Sequence, residues 1–190
     1  MMTETLEYRY ARLISTESDI NQHLPKLAAL AQEVDSVIEF GVRQGVSTTA
    51  WLIGLERMAQ ETRFRPSLDC YDLHCSSEVE TLASLAKHCD FRFHHEDVLT
   101  AQPRAADLLF IDTLHTATQL RAELTRHANS IRHYIVLHDT TTFGQHGEGG
   151  GDGLWKAIDE FLTERPEWVL RTHYPHNNGL TVLERKEVAK

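Results

Sequence analysis

The sequence predicts an α/β fold: a doubly wound sheet of seven strands, mostly parallel, that ends in a C-terminal antiparallel hairpin. Three observations carry this. Strand-like and helix-like segments alternate five times along the chain, the order that builds parallel sheets with helices on both faces. The run Asp107-Leu108-Leu109-Phe110-Ile111-Asp112 is continuously apolar inside and closed by an acid, as suits a central strand covered on both sides. Near the end, two strand-like stretches flank His176-Asn177-Asn178-Gly179, and Asn-Gly is a strong hairpin signal.

Each element has its own local reason. Thr16-Glu17-Ser18-Asp19-Ile20 reads as a capped helix start, continued at helical spacing by Leu24, Leu27, Leu30 and Ala31 until Val34. Val37 to Phe40 is the first strand. A glycine turn follows, then a helix from Ser47 to about Gln60 with Trp51, Leu52 and Leu55 inward. Ser67 to Leu73 is the second strand, and Glu78 to Lys87 a helix with Leu82 and Leu85 inward. Phe91 to His95 alternates as a third strand that ends near Asp97. Asp107 to Asp112 is the fourth strand, Thr118 to Ala128 a helix, and Tyr134 to Leu137 the fifth strand, running into His138 and Asp139. Leu154 to Arg165 is an amphipathic helix stopped by Pro166, before the hairpin strands Trp168 to Tyr174 and Leu180 to Glu184.

A length of 190 residues predicts a single domain, 1–190, with an N-terminal helical segment 1–35 and a core 36–185. The formal charge of −9 argues against nucleic acid as a general partner. No apolar run has membrane-spanning length, and no signal-peptide pattern opens the chain. Cys70, Cys75 and Cys89 lack zinc-type spacing, and their odd number opposes a disulfide framework. The expectation is a cytoplasmic protein with a small-molecule partner and no membrane or nucleic-acid partner. The sequence admits a homo-oligomer without specifying one.

The stretch from Val37 to Thr49, VIEFGVRQGVSTT, carries the strongest functional signal. A β-branched run ends in Glu39, two glycines follow, and Ser47 opens a helix. A helix N-terminus has unpaired N–H groups and a positive dipole end, so such a turn suits an anionic ligand group. Glycine lets a ligand approach main chain that a Cβ would block. A nucleotide-like cofactor at the carboxyl ends of parallel strands is the expectation. Four strands end in acids, namely Glu39, Asp72, Asp112 and Asp139. Asp72 stands where an acid accepts ribose hydroxyls, but 33 positions after Glu39, against about 20 for nicotinamide proteins. The Gly-x-x-x-Gly spacing also departs from the dinucleotide fingerprint. Asp97 reads either as an adenine contact or as a turn cap.

Glu39-Phe40-Gly41-Val42-Arg43-Gln44-Gly45-Val46-Ser47-Thr48 resembles the cofactor loop of class I S-adenosylmethionine-dependent methyltransferases. Phe110-Ile111-Asp112-x-x-His115 and Ile135-Val136-Leu137-His138-Asp139 resemble later signatures of one branch. That branch comprises small O-methyltransferases related to the cephalosporin-hydroxylase-like and macrolide-sugar methyltransferases. The resemblance spans roughly Val37 to Glu184 and implies a Rossmann-like seven-stranded sheet with a terminal hairpin. It implies S-adenosylmethionine as cofactor, with Gly41, Val42 and Gly45 behind the methionine portion, and Glu39 and Ser47 at its amino and carboxylate ends. It places Asp72 at the ribose, and Asp97 and Val98 beside the adenine. Asp112 and Asp139 resemble acids that bind a divalent cation next to the acceptor oxygen, and His115 matches a proposed base.

His138 stands where some metal-dependent relatives have an acid, and Thr140 where catechol-type relatives have Asn. An all-oxygen set suits magnesium, whereas a set of Asp112, His138 and Asp139 suits zinc, iron or manganese better. His138 facing the core is the structural alternative. The expected reaction is methylation of a hydroxyl on a small molecule or sugar. Two rivals stand beside it: a metal-dependent oxygenase using His115, His138 and one carboxylate, and a non-catalytic S-adenosylmethionine-binding subunit. The glycine-rich segment Gly144 to Gly153 reads either as a lid, with His146, Glu148 and Asp152 able to touch substrate, or as a disordered connector. His94-His95 and the His173/His176 pair read as surface groups, and Trp51, Trp155 and Trp168 mainly as core.

Overall fold

A computed structural model describes residues 4–186 of the chain. It shows an α/β fold whose strands β1 (Ser36–Phe40), β2 (Ser67–Asp72), β3 (Asp90–His95), β4 (Ala106–Ile111), β5 (Ile131–His138), β6 (Trp168–Tyr174) and β7 (Leu180–Arg185) form one seven-stranded sheet in the order β3-β2-β1-β4-β5-β7-β6. Backbone contacts divide the chain into two compact units, Met1–Asp97 and Val98–Lys190.

The first unit holds α1 (Leu6–Ser15), α2 (Leu24–Ala31), β1 (Ser36–Phe40), α3 (Val46–Thr62), β2 (Ser67–Asp72), α4 (Ser77–Leu85) and β3 (Asp90–His95). β1 pairs parallel with β2, Val37 opposite Leu68 and Phe40 opposite Tyr71. β2 pairs parallel with β3, Leu68 opposite Phe91. Leu24, Leu27, Leu30, Trp51, Leu52, Leu55 and Leu68 are fully buried and form its apolar centre. The second unit holds β4 (Ala106–Ile111), α5 (Ala117–His127), β5 (Ile131–His138), α6 (Leu154–Glu164), β6 (Trp168–Tyr174) and β7 (Leu180–Arg185). All six residues of β4 are buried, as its unbroken apolar run requires. β4 and β5 are parallel, whereas β7 runs antiparallel to both β5 and β6. Asn177, Asn178 and Gly179 all have positive φ in the turn of that hairpin, which is the backbone an Asn-Gly turn supplies.

Several boundaries differ from the sequence expectation. Helix α1 is additional, and no helix begins at Thr16. Instead, Ser18 Oγ accepts from Asn21 N at 3.1 Å, and a short 3-10 turn, Asn21–His23, precedes α2. Helix α2 ends at Ala31 rather than Val34. Helix α4 stops at Leu85 because Glu56 Oε1 accepts from the backbone N of Lys87, His88 and Cys89, at 2.7, 2.7 and 3.0 Å. These donors belong to the carboxylate and cannot extend the helix. Strand β5 begins earlier than expected, at Ile131.

Candidate active site

In the first unit, β1 delivers Phe40 into a turn whose backbone is left-handed three times, at Gly41 (φ 85°), Arg43 (φ 51°) and Gly45 (φ 71°). Gly45 is required by its φ, which lies where L side chains are strained, and a Cβ there would also make the Leu82 side chain shift. Gly41 N donates to Tyr71 O at 3.0 Å and Gly45 N to Val42 O at 2.8 Å, so the turn is closed on itself and on β2.

Two carboxylates hold this turn. Glu39 is fully buried. Ser47 Oγ and Thr48 Oγ1 each donate to it at 2.6 Å, and the Cys70 thiol lies 3.3 Å away. Burial and the neighbouring Glu39 charge push the Cys70 pKa well up, so sulfur keeps its proton as a donor. Glu39 thus pins the first turn of α3 to the end of β1. Asp72, the last residue of β2, accepts from Val42 N and Arg43 N at 2.8 Å each and from His74 N at 2.9 Å. Partial burial would raise its pKa, but these backbone donors outweigh it and hold the carboxyl below the usual range. Val42 is itself buried. Asp97 is exposed beyond β3. Val98 is buried, and its carbonyl accepts from His127 Nε2 at 2.7 Å.

Sequence reasoning missed Arg9, a buried cation on α1. Its Nε donates to Thr49 Oγ1 at 3.1 Å and its Nη2 to Gln44 O at 3.4 Å, while Nη1 pairs with Glu78 at 2.7 Å and Glu4 at 3.2 Å. The guanidinium therefore braces the glycine turn and joins α1, α3 and α4. Thr48 was also missed, although its hydroxyl stands at the helix start, where such groups belong.

In the second unit, the ends of β4 and β5 bring together Asp112, His115, His138 and Asp139. His115 Nε2 lies 2.9 Å from Asp139 Oδ2 and 3.3 Å from Asp112 Oδ1. His138 is buried and is not simply a core residue. Its Nδ1 lies 3.4 Å from Asp112 Oδ1 and 3.6 Å from Asp139 Oδ2. Asp139 has φ 60°, a strained setting for a non-glycine residue that is often stored at functional sites. Burial opposes charge on both Asp112 and His115, yet their mutual bonds prevail. The Asp112 pKa is held far below the usual carboxylate range by His115 and His138. The His115 pKa is pushed up to about 10 by Asp112 and Asp139.

This donor set fits a divalent cation. One ligand atom each from Asp112, His138 and Asp139 lie within 4.8 Å of one another. Asp139 Oδ1 is buried and has no hydrogen-bond partner among the described residues, which is costly unless something satisfies it.

The glycine segment forms a hydrogen-bonded turn. His146 and Asp152 make an antiparallel bridge, and Gly147 N donates to Gly151 O at 3.1 Å. Glu148 reaches His115, with its Oε2 3.1 Å from Nδ1. Phe143 stacks on the His115 ring at 4.7 Å. Of the other histidines, His94 Nε2 is engaged by Asp69 at 2.8 Å, and His173 meets the Trp155 ring edge-on at 5.2 Å. The three cysteines are free thiols. No helix among the described residues is long and apolar enough to cross a membrane.

Comparison with solved structures gives the fold an independent footing. A methyltransferase from Podospora anserina bound to SAH aligns with 14% identity over 98% of this chain and 89% of its own, at a TM-score of 0.63. A protein from Corynebacterium glutamicum aligns with 17% identity over 95% and 91%, at 0.69. The N-methyltransferase NodS from Bradyrhizobium japonicum, in complex with S-adenosyl-L-homocysteine, aligns with 16% identity over 97% and 100%, at 0.56. No curated protein matches. The family model described as a methyltransferase domain matches residues 38–140, from the middle of β1 to just past Asp139. The chain therefore belongs to that methyltransferase family, the class I S-adenosylmethionine-dependent group.

Proposed function

We propose that this methyltransferase moves the methyl group of S-adenosylmethionine to a hydroxyl of a small molecule or sugar, and that residues 1–190 work as one catalytic domain. The glycine turn is the donor's seat. Gly41, Val42 and Gly45 offer main chain to its methionine portion, with Glu39 and Ser47 beneath. Asp72 would take the ribose, and Asp97 and Val98 would flank the adenine. The sulfonium methyl is already electrophilic, so positioning supplies most of the catalysis.

The single observation that carries the choice of oxygen is the convergence of Asp112, His115 and Asp139. Fold similarity does not choose the acceptor atom, since NodS is an N-methyltransferase. An alcohol must lose a proton during attack, and an imidazole beside two carboxylates can receive it. With its pKa near 10, His115 holds a proton at neutral pH while both carboxylates face it. Asp112, His138 and Asp139 would hold a divalent cation, and that cation would supply polarisation of the acceptor oxygen. Asp112 and Asp139 orient the ring, and His115, in its neutral form, accepts the proton at Nε2. The His138 nitrogen favours manganese, zinc or iron over magnesium. Three free thiols suit a reducing, cytoplasmic setting.

Calorimetric titration with S-adenosylmethionine, with and without Mn2+ or Mg2+, tests donor and cation together. S-adenosylhomocysteine release is then followed against catechols and simple glycosides. His115→Ala and Asp112→Asn should each lower transfer by about 10²–10⁴-fold while donor binding persists. Wild-type turnover in both variants would refute the assignment. Full donor binding with turnover indifferent to His115 is what a non-catalytic subunit would give, and iron- and oxygen-dependent hydroxylation would point to the oxygenase.

A further inference from the structure

We propose that the glycine segment 144–153 serves to carry Glu148 onto His115, and that Glu148 is a positioning residue for the transfer site. The proposal rests on the reading of His115 as the group that serves the acceptor. Glu148 grips His115 at two points. Its backbone N donates to His115 O at 2.8 Å, and its Oε2 accepts from ring Nδ1 at 3.1 Å. Carboxylates can only accept, so Nδ1 donates to Glu148 while Nε2 donates to Asp139 and faces Asp112. With Phe143 stacked flat on the ring at an interplanar angle of 7°, the imidazole is fixed in rotation as well as in direction.

The glycines explain themselves on this reading. A Cβ at Gly147 would sit 2.8 Å from Asp152 O and 3.0 Å from His115 O, so only glycine allows the arm to lie this close to the His115 backbone. Gly149, Gly150 and Gly151 meet nothing within 4 Å of a built Cβ. Their φ values of 76°, 99° and 85° are what require glycine there. These three reverse the chain, and the segment then returns through the Gly153 N to Gln145 O bond at 3.0 Å. Ordering a glycine-rich stretch costs about 1–2 kcal/mol per residue in backbone entropy. A plain connector would have no need to offset that cost. A segment that must present one carboxylate to one imidazole nitrogen would. The arm is anchored further by Ala117 N, which donates to Asp152 O at 3.1 Å.

The test uses the full-length, metal-free protein and the variants Glu148→Ala, Glu148→Asp and Gly150→Ala. Long-range 1H–15N spectra of the His115 ring, assigned with His115→Asn, report the Nδ1 hydrogen bond directly. The slowly exchanging Nδ1 proton should be present in wild type, absent in Glu148→Ala, partly restored in Glu148→Asp and weakened in Gly150→Ala. The S-adenosylmethionine dissociation constant should not change in any of them. With a hydroxyl acceptor from the catechol and glycoside panel, Glu148→Ala should lower kcat about 10–100-fold at an unchanged acceptor KM. Identical His115 ring signals in wild type and Glu148→Ala would overturn the proposal. Should wild type fail to bind the donor or transfer methyl groups, the functional reading falls, while the ring spectra still decide the link from Glu148 to His115. Should Glu148→Ala fail to fold, the ring signals of Glu148→Asp and Gly150→Ala decide it, and wild-type signals in both would overturn it.

Discussion

Asp72 shows how one side chain can set the shape of a glycine turn. It accepts three backbone N–H bonds, two of them from Val42 and Arg43 inside the turn. Folding therefore favours its ionised form, although partial burial pulls the other way. The sign follows. An unfolded Asp titrates near about 3.9, and the folded value is lower. The stabilisation is complete above the unfolded value and is lost as pH falls through the folded one. Asp72→Asn cannot ionise. It is predicted to be less stable at neutral pH by about 1–2 kcal/mol and to lose less of its remaining stability on acidification below about pH 4. Urea unfolding of both proteins at a series of pH values measures this, and parallel pH curves would contradict it. Glu39 and His138 mark the limit of what the sequence discloses. That Asp112, His115 and Asp139 meet was legible, because parallel strands share a direction and both acids follow strand ends. That Glu39 is wholly buried under two hydroxyls was not, because an acid ending a strand can turn either way. His138 was ambiguous for the same reason. Its ring nitrogen faces the acids, a choice of rotamer that spacing alone cannot reveal.

Helix α1 is the element that sequence patterning hid. Its buried residues are Leu6, Arg9 and Tyr10, so a charged residue occupies the inward stripe and blunts the apolar period on which helix recognition depends. The partners that make Arg9 tolerable, Thr49 and Glu78, are far along the chain, and no local window contains them. α4 was read too long for a related reason: the carboxylate that claims the N–H groups beyond Leu85 comes from Glu56 on α3. By contrast, β4 and the hairpin were legible because their signals are local, an apolar run in one case and an Asn-Gly turn in the other. The role of α1 as a brace has a measurable consequence. Arg9→Met keeps the length and apolar stem but removes every bond to Gln44, Thr49 and the two glutamates. Breaking a wholly buried ion pair costs about 3–5 kcal/mol. Here both glutamates are partly solvated, so about 2 kcal/mol is expected. Donor affinity should fall too, because the carbonyl of Gln44 lies inside the glycine turn. Chemical denaturation and calorimetry measure the two effects, and a variant that loses stability but keeps full donor affinity would separate the brace from the turn.

At the scale of the whole molecule, the fold aligns with that of solved methyltransferases at only 14–16% identity. Such tolerance is understandable if strand order is set by where apolar runs and turns fall, with the particular side chains free to vary. It also separates fold from chemistry, since the glycine turn proposed to seat the donor lies in residues 1–97 and the acid–histidine cluster in residues 98–190. Two compact units, each with one of the proposed ligand sites, raise the question of whether they unfold as one. A ligand that binds only the native state stabilises it by about 2.7 kcal/mol at a hundredfold excess over its dissociation constant. For a chain of this size, each kcal/mol raises Tm by about 2–4 °C. A single cooperative domain should therefore give one calorimetric transition that S-adenosylmethionine raises by about 5–10 °C, and that Mn2+ raises further and independently in wild type but not in an Asp112→Asn/Asp139→Asn variant. Agreement of calorimetric and van't Hoff enthalpies would confirm the cooperativity. Two transitions, one moved only by the donor and the other only by the cation, would instead show that each unit carries its own stability, and the single-domain reading would fall while both sites stood.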